Sequence, residues 1–440
     1  AEGVEMRTLL PLYPALKSAG GREVARLDLP GGPARLLAAE AAGLSLYLLD
    51  MPHLFDRAGG PYSGLDGRDF GDNHLRFAAL AKCGALIGAG LDTGWRPDLL
   101  HCHDWQAGLA PTYLKALGGP SSILTIHNIA FQGRFGAGLL PGLELPPERF
   151  NREGYEFWGD VSFLKAGLVD AAKITTVSPS YAAELLSPEF GEGLDGLLRA
   201  RAGDLSGILN GIDDTLWNPK TDPELPARYS LRNPAGKAEC KAAIAAEMGL
   251  APGEGPLFAV ISRLTGQKGF DLLLDALPAA LDRGARLALL GSGDPWFEHR
   301  FRDLALHRPG QVAVHIGFDE GRAHRMQAGA DAILVPSRFE PCGLTQLCAL
   351  RYGTLPIVAR TGGLADTVID LNAAALAAGA GTGFQHAPGS AAALAAALIR
   401  ALDLYEDREA WAAAMRRAMR QPVGWGPSAA AYARLYRSLA

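Results

Sequence analysis

Cysteine is scarce in this chain. Five residues in 440 (Cys83, Cys102, Cys240, Cys342 and Cys348) make an odd number, widely scattered and without a Cys-x-x-Cys pair. That excludes a disulfide framework or a zinc knuckle and fits a reducing, cytoplasmic setting. Long apolar stretches are missing too: no run approaches the roughly 20 uninterrupted apolar residues that a membrane helix requires. Charge of one sign is also lacking, since 42 basic residues against 47 acidic ones leave a net charge of −5, without long runs of either sign. Nucleic acid and anionic membrane are thereby excluded as main partners, because both select for a basic face. The length itself excludes one ordinary core and suits two domains of about 200 residues each.

What is present is a repeated grammar of short apolar runs alternating with helical patterns, which predicts parallel sheets with crossover helices. In the first half the expected strands are Val4–Leu10, Leu44–Leu49, Leu99–Cys102, Ile123–Ile126, Ile174–Val177 and Gly207–Leu209, with helices over Arg76–Gly90 and Val161–Ala172. In the second half they are Leu257–Ser262, Arg286–Leu290, Val312–Ile316, Ala332–Val335 and Leu355–Ala359. After the first of these, Phe270, Leu273, Leu274, Leu277 and Leu281 recur on one helical face. Between the halves, Trp217–Gly255 carries Pro219, Pro223, Pro226, Pro234 and Pro252, a density that predicts a linker. The expected organisation is a first α/β domain over 1–214, a linker over 215–255, a second α/β domain over 256–420, and a terminal helix within 421–440.

In doubly wound sheets ligands bind beyond the carboxyl ends of the strands. There, Arg263 and Lys268 lie five residues apart on a strand-to-helix loop. A guanidinium fork and a point charge beside a helix N-terminus suit a diphosphate, although two solvated surface cations read the same way. A second loop, Pro336-Ser-Arg-Phe-Glu-Pro-Cys-Gly-Leu-Thr-Gln346, places Glu340 where it could hold sugar or ribose hydroxyls. The amides of Gly343, Leu344 and Thr345 then open a helix towards a phosphate. The plainer alternative makes Glu340 a capping acid and Cys342 a small buried hydrophobe. Gly362-Gly363 permits close approach to a ligand but is a weak signal. Gly291-Ser-Gly293 lacks the full dinucleotide fingerprint.

In the first half, His103-Asp104-Trp105-Gln106 and His127-Asn128 end neighbouring strands, and polar groups beside an indole suit a sugar. His101, His103 and His127 raise the question of a metal. No orienting shell accompanies them, so none is expected and His101 reads as a satisfied structural histidine.

Together, His101–Gln106, Thr125–Asn128, Asn210-Gly-Ile-Asp213 with Trp217-Asn-Pro219, Ser262–Gly269, Pro336–Gln346 and Arg360–Val368 closely resemble the glycogen and starch synthase family, from about residue 4 to 438. The resemblance implies a GT-B fold, two Rossmann-like doubly wound domains facing across a deep cleft. It implies retaining transfer of glucose from ADP-glucose to an α-1,4-glucan, without metal or other cofactor. By position, Arg263 and Lys268 would neutralise the departing diphosphate. Glu340, Cys342 and the Gly343–Thr345 amides would bind donor sugar and phosphate. His127 would sit by the glucose, Asp104 and Asn128 near sugar or acceptor, and Asn210 at the domain junction. The terminal helix, Gly426–Leu439, would cross back onto the first domain.

Two departures accompany the resemblance. Gly317-Phe318 stands where the family often has an aromatic hydroxyl, and Phe318 could still stack on adenine. The family's opening Lys-Thr-Gly-Gly loop is not found in these residues, from which a fragment, poorly active alone and with an exposed sheet edge, is expected. The rival readings are a related enzyme using UDP-glucose, a glucan phosphorylase, and a non-catalytic glucan-binding relic. A phosphorylase would need a pyridoxal-phosphate lysine in a context absent here, and a binding relic has no use for diphosphate cations.

Overall fold

A computed structural model describes residues 2–440. The chain divides into two units. The first runs up to Val177 and adds Ala182–Ile208 and Ala430–Ala440; the second comprises Ser178–Tyr181 and Leu209–Ala429. Among the described residues no helix is long and apolar enough to cross a membrane.

The first unit holds two four-stranded sheets rather than one continuous sheet. In one, β1 (Thr8–Pro11), β2 (Arg22–Leu29), β3 (Gly32–Ala41) and β4 (Leu44–Asp50) lie in the order β1-β4-β3-β2. There β2-β3-β4 form an antiparallel meander and β1 runs parallel to β4. The strand expected over Val4–Leu10 begins only at Thr8, because Val4 and Met6 are exposed and no described residue pairs with their backbone. Pro11 is tolerated at its end because β1 is an edge strand. The β2–β3 hairpin was not anticipated: β2 buries little except Leu29, so its sequence lacks a clean alternation.

In the other sheet β5 (Leu99–His103), β6 (Ser121–Ile126), β10 (Lys173–Thr176) and β11 (Leu205–Gly207) are parallel in the order β11-β10-β6-β5. Three short strands, β7 (Arg134–Gly136), β8 (Glu156–Phe157) and β9 (Asp160–Ser162), form a small antiparallel sheet. The strand β11 lies two residues before its expected place, since its partner β10 ends at Thr176. Helix α1 (Asn73–Gly88) packs against both edge strands β1 and β5.

The second unit carries one parallel sheet: β12 (Leu257–Ile261), β13 (Arg286–Gly291), β14 (Val312–Ile316), β15 (Ala332–Val335), β16 (Leu355–Ala359) and β17 (Phe384–His386). Their order is β14-β13-β12-β15-β16-β17. Both faces are covered, which is why these strands read as continuous apolar runs. Along β12, Phe258 and Val260 enter one core while Leu257 and Ala259 enter the other.

The proline-rich 215–255 segment is not a free linker but part of the second unit. Trp217 stacks on His324 at 3.8 Å with 9° between the rings. The buried Asp222 carboxylate accepts from His324 Nδ1 at 2.7 Å and from the Tyr352 hydroxyl. Helix α2 (Gly236–Glu247) buries Lys237, whose Nζ donates to Ala328 O (2.9 Å), Tyr352 O (3.3 Å) and Thr354 Oγ1 (2.8 Å). Proline density reports missing ladder hydrogen bonds; it does not report exposure, and Asp222, Tyr229 and Lys237 between these prolines are buried.

The remaining helices that bear on the site are α3 (Phe270–Asp282), α4 (Thr345–Tyr352), α5 (Gly362–Thr367) and α6 (Gly426–Arg437). On α3, Phe270, Leu273, Leu277 and Leu281 are buried as the helical pattern predicts, while Leu274, expected on the same face, is only half-buried. Helix α6 passes from the second unit to the first at Ala430.

Candidate active site

The strand order of the second unit reverses between β12 and β15. At such a switch point two neighbouring strand-to-helix loops diverge and leave a crevice. The loop after β12 carries Lys268 and leads into α3; the loop after β15 carries Glu340 and leads into α4. Backbone and side chain bind them together: Arg338 N donates to Gln267 O at 2.8 Å and Gln267 Nε2 donates to Phe339 O at 3.2 Å.

Lys268 and Glu340, read from the sequence as separate ligands, form an ion pair of 2.5 Å between Nζ and Oε2. Ser337 Oγ donates to the same carboxylate oxygen at 3.0 Å. The pair lines a crevice completed by Ser262, Gly343, Leu344 and Thr345. Arg338, the other cation of this segment, grips Asp271 with two hydrogen bonds of 2.7 Å, and that guanidinium holds the Asp271 carboxyl below its ordinary value. It clamps the loops and is not offered to a ligand. Arg263 lies exposed on the same loop as Lys268 and pairs with no described carboxylate.

The backbone amides of Gly343, Leu344 and Thr345 donate to no described residue. These are the orphan donors of a helix N-terminus, and they border the crevice. Cys342 is buried; burial pushes its thiol up to about 11, against the opposing effect of the Asn210 backbone amide, so Asn210 and Cys342 are brought together. Gly362 and Gly363 approach protein rather than ligand: a Cβ on Gly362 would lie 2.1 Å from Glu340 O, and one on Gly363 2.3 Å from Cys342 O. Gly317 and Phe318 follow β14, two strands from β12, and Phe318 is 87% exposed.

The first unit assembles a separate polar cluster at the ends of β5 and β6. Asp104 has φ +52 and ψ −166, a conformation costly for any residue that carries a Cβ. Its Oδ1 accepts from the His127 backbone amide at 2.7 Å. Burial raises its carboxyl above the ordinary value, opposed by His127 and by the amides of His127 and Asn128. His103 Nδ1 lies 3.0 Å from His127 Nε2. Burial, and then His127, push His103 down to about 4, so it is neutral at neutral pH. His101 is held between Thr125 Oγ1 (2.6 Å) and the Tyr436 hydroxyl of α6 (2.7 Å), the structural histidine of the sequence reading. Among the described residues no group of three or more His, Cys, Asp or Glu side chains could hold a metal ion.

Beside this cluster is a pocket of about 440 Å³, lined by Trp105, Phe131, Gln132, Arg134, Trp158 and Glu192 among others. Trp158 is 77% exposed at φ +54, and Gln132 Oε1 is buried without a hydrogen-bond partner among the described residues. Apolar rings beside fixed polar groups are how pyranose rings are bound. The sequence reading missed Phe131, Gln132, Trp158 and Glu192. The available signal was the cluster of aromatics following His127-Asn128.

Comparison with known proteins agrees along nearly the whole chain. Residues 1–200 match the starch synthase catalytic domain and residues 246–418 the group 1 glycosyl transferases. A glycogen synthase of Roseobacter denitrificans is 56% identical over 443 residues, covering 99% of this chain and 92% of that protein. One from Paracoccus denitrificans is 53% identical over 444 residues, covering 100% and 93%. The catalytic domain of starch synthase IV from Arabidopsis thaliana, bound to ADP and acarbose, superposes with a TM-score of 0.86 at 30% identity, over 98% of this chain and 91% of that one. Sucrose-phosphate synthase from Thermosynechococcus elongatus, 19% identical with a TM-score of 0.58 over 99% of each chain, shares the fold.

Proposed function

The chain belongs to the glycogen synthase family of GT-B glycosyltransferases, and from that premise we propose that it transfers glucose from ADP-glucose to the non-reducing end of an α-1,4-glucan with retention. The observation that carries this reading is the switch-point crevice of the second unit. It combines a carboxylate for sugar hydroxyls, an ammonium, and unpaired helix amides for phosphate.

In the reaction the bond from glucose C1 to the diphosphate oxygen breaks and a bond from C1 to the acceptor hydroxyl oxygen forms. The acceptor's proton leaves on the departing phosphate. Charge therefore grows on phosphate oxygens, and fixed cations and amides stabilise it without reorganising. Lys268, Arg263 and the Gly343–Thr345 amides fill that role. Glu340 orients the donor sugar, Cys342 and Asn210 shape the wall beside it, and exposed Phe318 beside Gly317 suits an adenine face. His127, Asp104 and Asn128 belong to the sugar side on the first unit. The acceptor glucan takes the aromatic pocket between Trp105 and Trp158. With the diphosphate met by protein cations and amides, the proposed reaction needs no metal. A cytoplasmic location suits five free, buried thiols.

Transfer of labelled glucose to glycogen from ADP-glucose, with UDP-glucose in parallel and EDTA present, tests the proposal. Incorporation from ADP-glucose is expected. Incorporation only from UDP-glucose, or only without EDTA, would overturn the donor or the metal-free part respectively.

A further inference from the structure

Gln346, the second residue of α4, is fully buried, and its side chain turns back beneath the loop that precedes the helix. Its Nε2 donates to Cys342 O at 3.0 Å, to Gly343 O at 2.9 Å and to Thr367 Oγ1 at 3.2 Å. The orientation of the carboxamide is fixed by its neighbours. Two of them are carbonyl oxygens, and Thr367 gives its own proton to Gly363 O at 2.6 Å, so all three must accept. An oxygen in the place of Nε2 would face three acceptors.

In a trans peptide the C=O and N–H of one plane point in opposite directions. Drawing the carbonyls of Cys342 and Gly343 towards Gln346 therefore turns the N–H groups of Gly343 and Leu344 the other way. Those are amides that find no acceptor within the described residues and border the crevice. Gly343 takes φ +73 to allow this, and a Cβ there would lie 2.4 Å from Gln346 Oε1. Glycine at 343 and glutamine at 346 are thus one device. Through Thr367 it is also tied to α5, whose Gly363 N donates to Glu340 O and Pro341 O, both at 3.1 Å.

We infer that Gln346 is a positioning residue for the donor: its carboxamide holds the two peptide planes whose N–H groups take the donor's phosphate. The inference rests on the crevice being the donor site. A hydrogen-bonded spacer of the right shape is not enough for this role. The group at Nε2 must carry two donated protons, which a carboxylate lacks and a thioether cannot supply.

The test compares the full chain with Gln346→Glu and Gln346→Met. Affinity for ADP is measured by calorimetry, KM for ADP-glucose and for glycogen separately, and the melting temperature alongside. Gln346→Glu is expected to weaken ADP and raise KM for ADP-glucose by at least about tenfold, the scale of one lost charge-assisted hydrogen bond. KM for glycogen should stay within about twofold. Gln346→Met should follow the same split to a smaller degree. Unchanged ADP affinity in both variants would overturn the inference, and so would equal rises in both KM values with a lowered melting temperature, which mark general loosening. If the parent chain binds ADP yet transfers glucose from neither nucleotide sugar, the synthase reading fails, while the ADP comparison still decides the role of Gln346.

Discussion

Lys237 offers the most quantitative prediction. Its ammonium is buried against three oxygen acceptors, with no carboxylate of the described residues within bonding distance. Burial pushes its pKa from 10.5 down to about 8; Asp331 and Cys240 act in the opposite direction and Lys241 in the same one. The folded form therefore releases this proton near pH 8, whereas the unfolded chain keeps it to about 10.5. Between those values the unfolded state binds more protons, so stability contributed by this group rises with pH. Below pH 8 the penalty for burying the charge is fully present. The drop from 10.5 to about 8, at about 1.36 kcal/mol per pH unit, amounts to roughly 3 kcal/mol.

Lys237→Met removes the titration. Urea unfolding of the chain and of this variant would be followed by tryptophan fluorescence from pH 7 to 10.5, Trp217 lying in the same cluster as Tyr229 and Tyr352. Subtracting the two curves cancels the other alkaline groups, including Cys240 and Tyr229. The stability difference between chain and variant should shift in favour of Lys237 by up to about 3 kcal/mol across that range. A difference flat to within about 0.5 kcal/mol would refute the reasoning and mean that Lys237 keeps an ordinary pKa.

Glu340→Gln removes the carboxylate proposed to hold the donor sugar but keeps the phosphate amides. Its kcat should fall by about a hundredfold, the scale of a misplaced reactant, while ADP affinity by calorimetry changes only a few-fold; an undiminished kcat would contradict the assignment. Trp158→Ala should raise KM for glycogen by roughly five- to tenfold, about 1 kcal/mol of lost stacking, and leave KM for ADP-glucose unchanged. Equal KM values for both substrates in variant and parent would remove the glucan from that pocket. Burial pushes the thiols of Cys83, Cys102 and Cys348 up to about 12 and that of Cys342 up to about 11. At pH 7.5 they should react slowly with Ellman's reagent in the native protein, and all five thiols should react at once in guanidinium. Rapid native labelling of more than one thiol would count against the buried arrangement.

The second unit was largely legible because its strands are buried on both faces, so Val312–Ile316, Ala332–Val335 and Leu355–Ala359 fall where the apolar runs place them. The first unit was less so. The β2–β3 hairpin is half-exposed and mixes Arg22, Glu23 and Arg26 into its strands, which blurs any period. Strand-end reasoning located Lys268 and Glu340, since each follows a recognisable strand into a helix. Their pairing across 72 residues of chain was beyond it, because contact between loops depends on strand order, and strand order is set by the whole sheet. Arg338 shows the same limit: its charge was visible in the sequence, its commitment to Asp271 was not. The prolines of 215–255 misled for a different reason, since they mark irregular backbone whether it is buried or free.

The ion pair between Lys268 and Glu340 also bears on discrimination. A free inorganic anion meets an ammonium already neutralised by its neighbour, and a plain sugar meets a carboxylate already engaged by Lys268 and Ser337. Neither alone gains much by parting the pair. In the proposed roles of Lys268 and Glu340, a nucleotide sugar brings phosphate and hydroxyls in one molecule and would replace both halves of the contact together. On that proposal the resting site would behave as a lock with two tumblers, turned by the coincidence of two chemical groups.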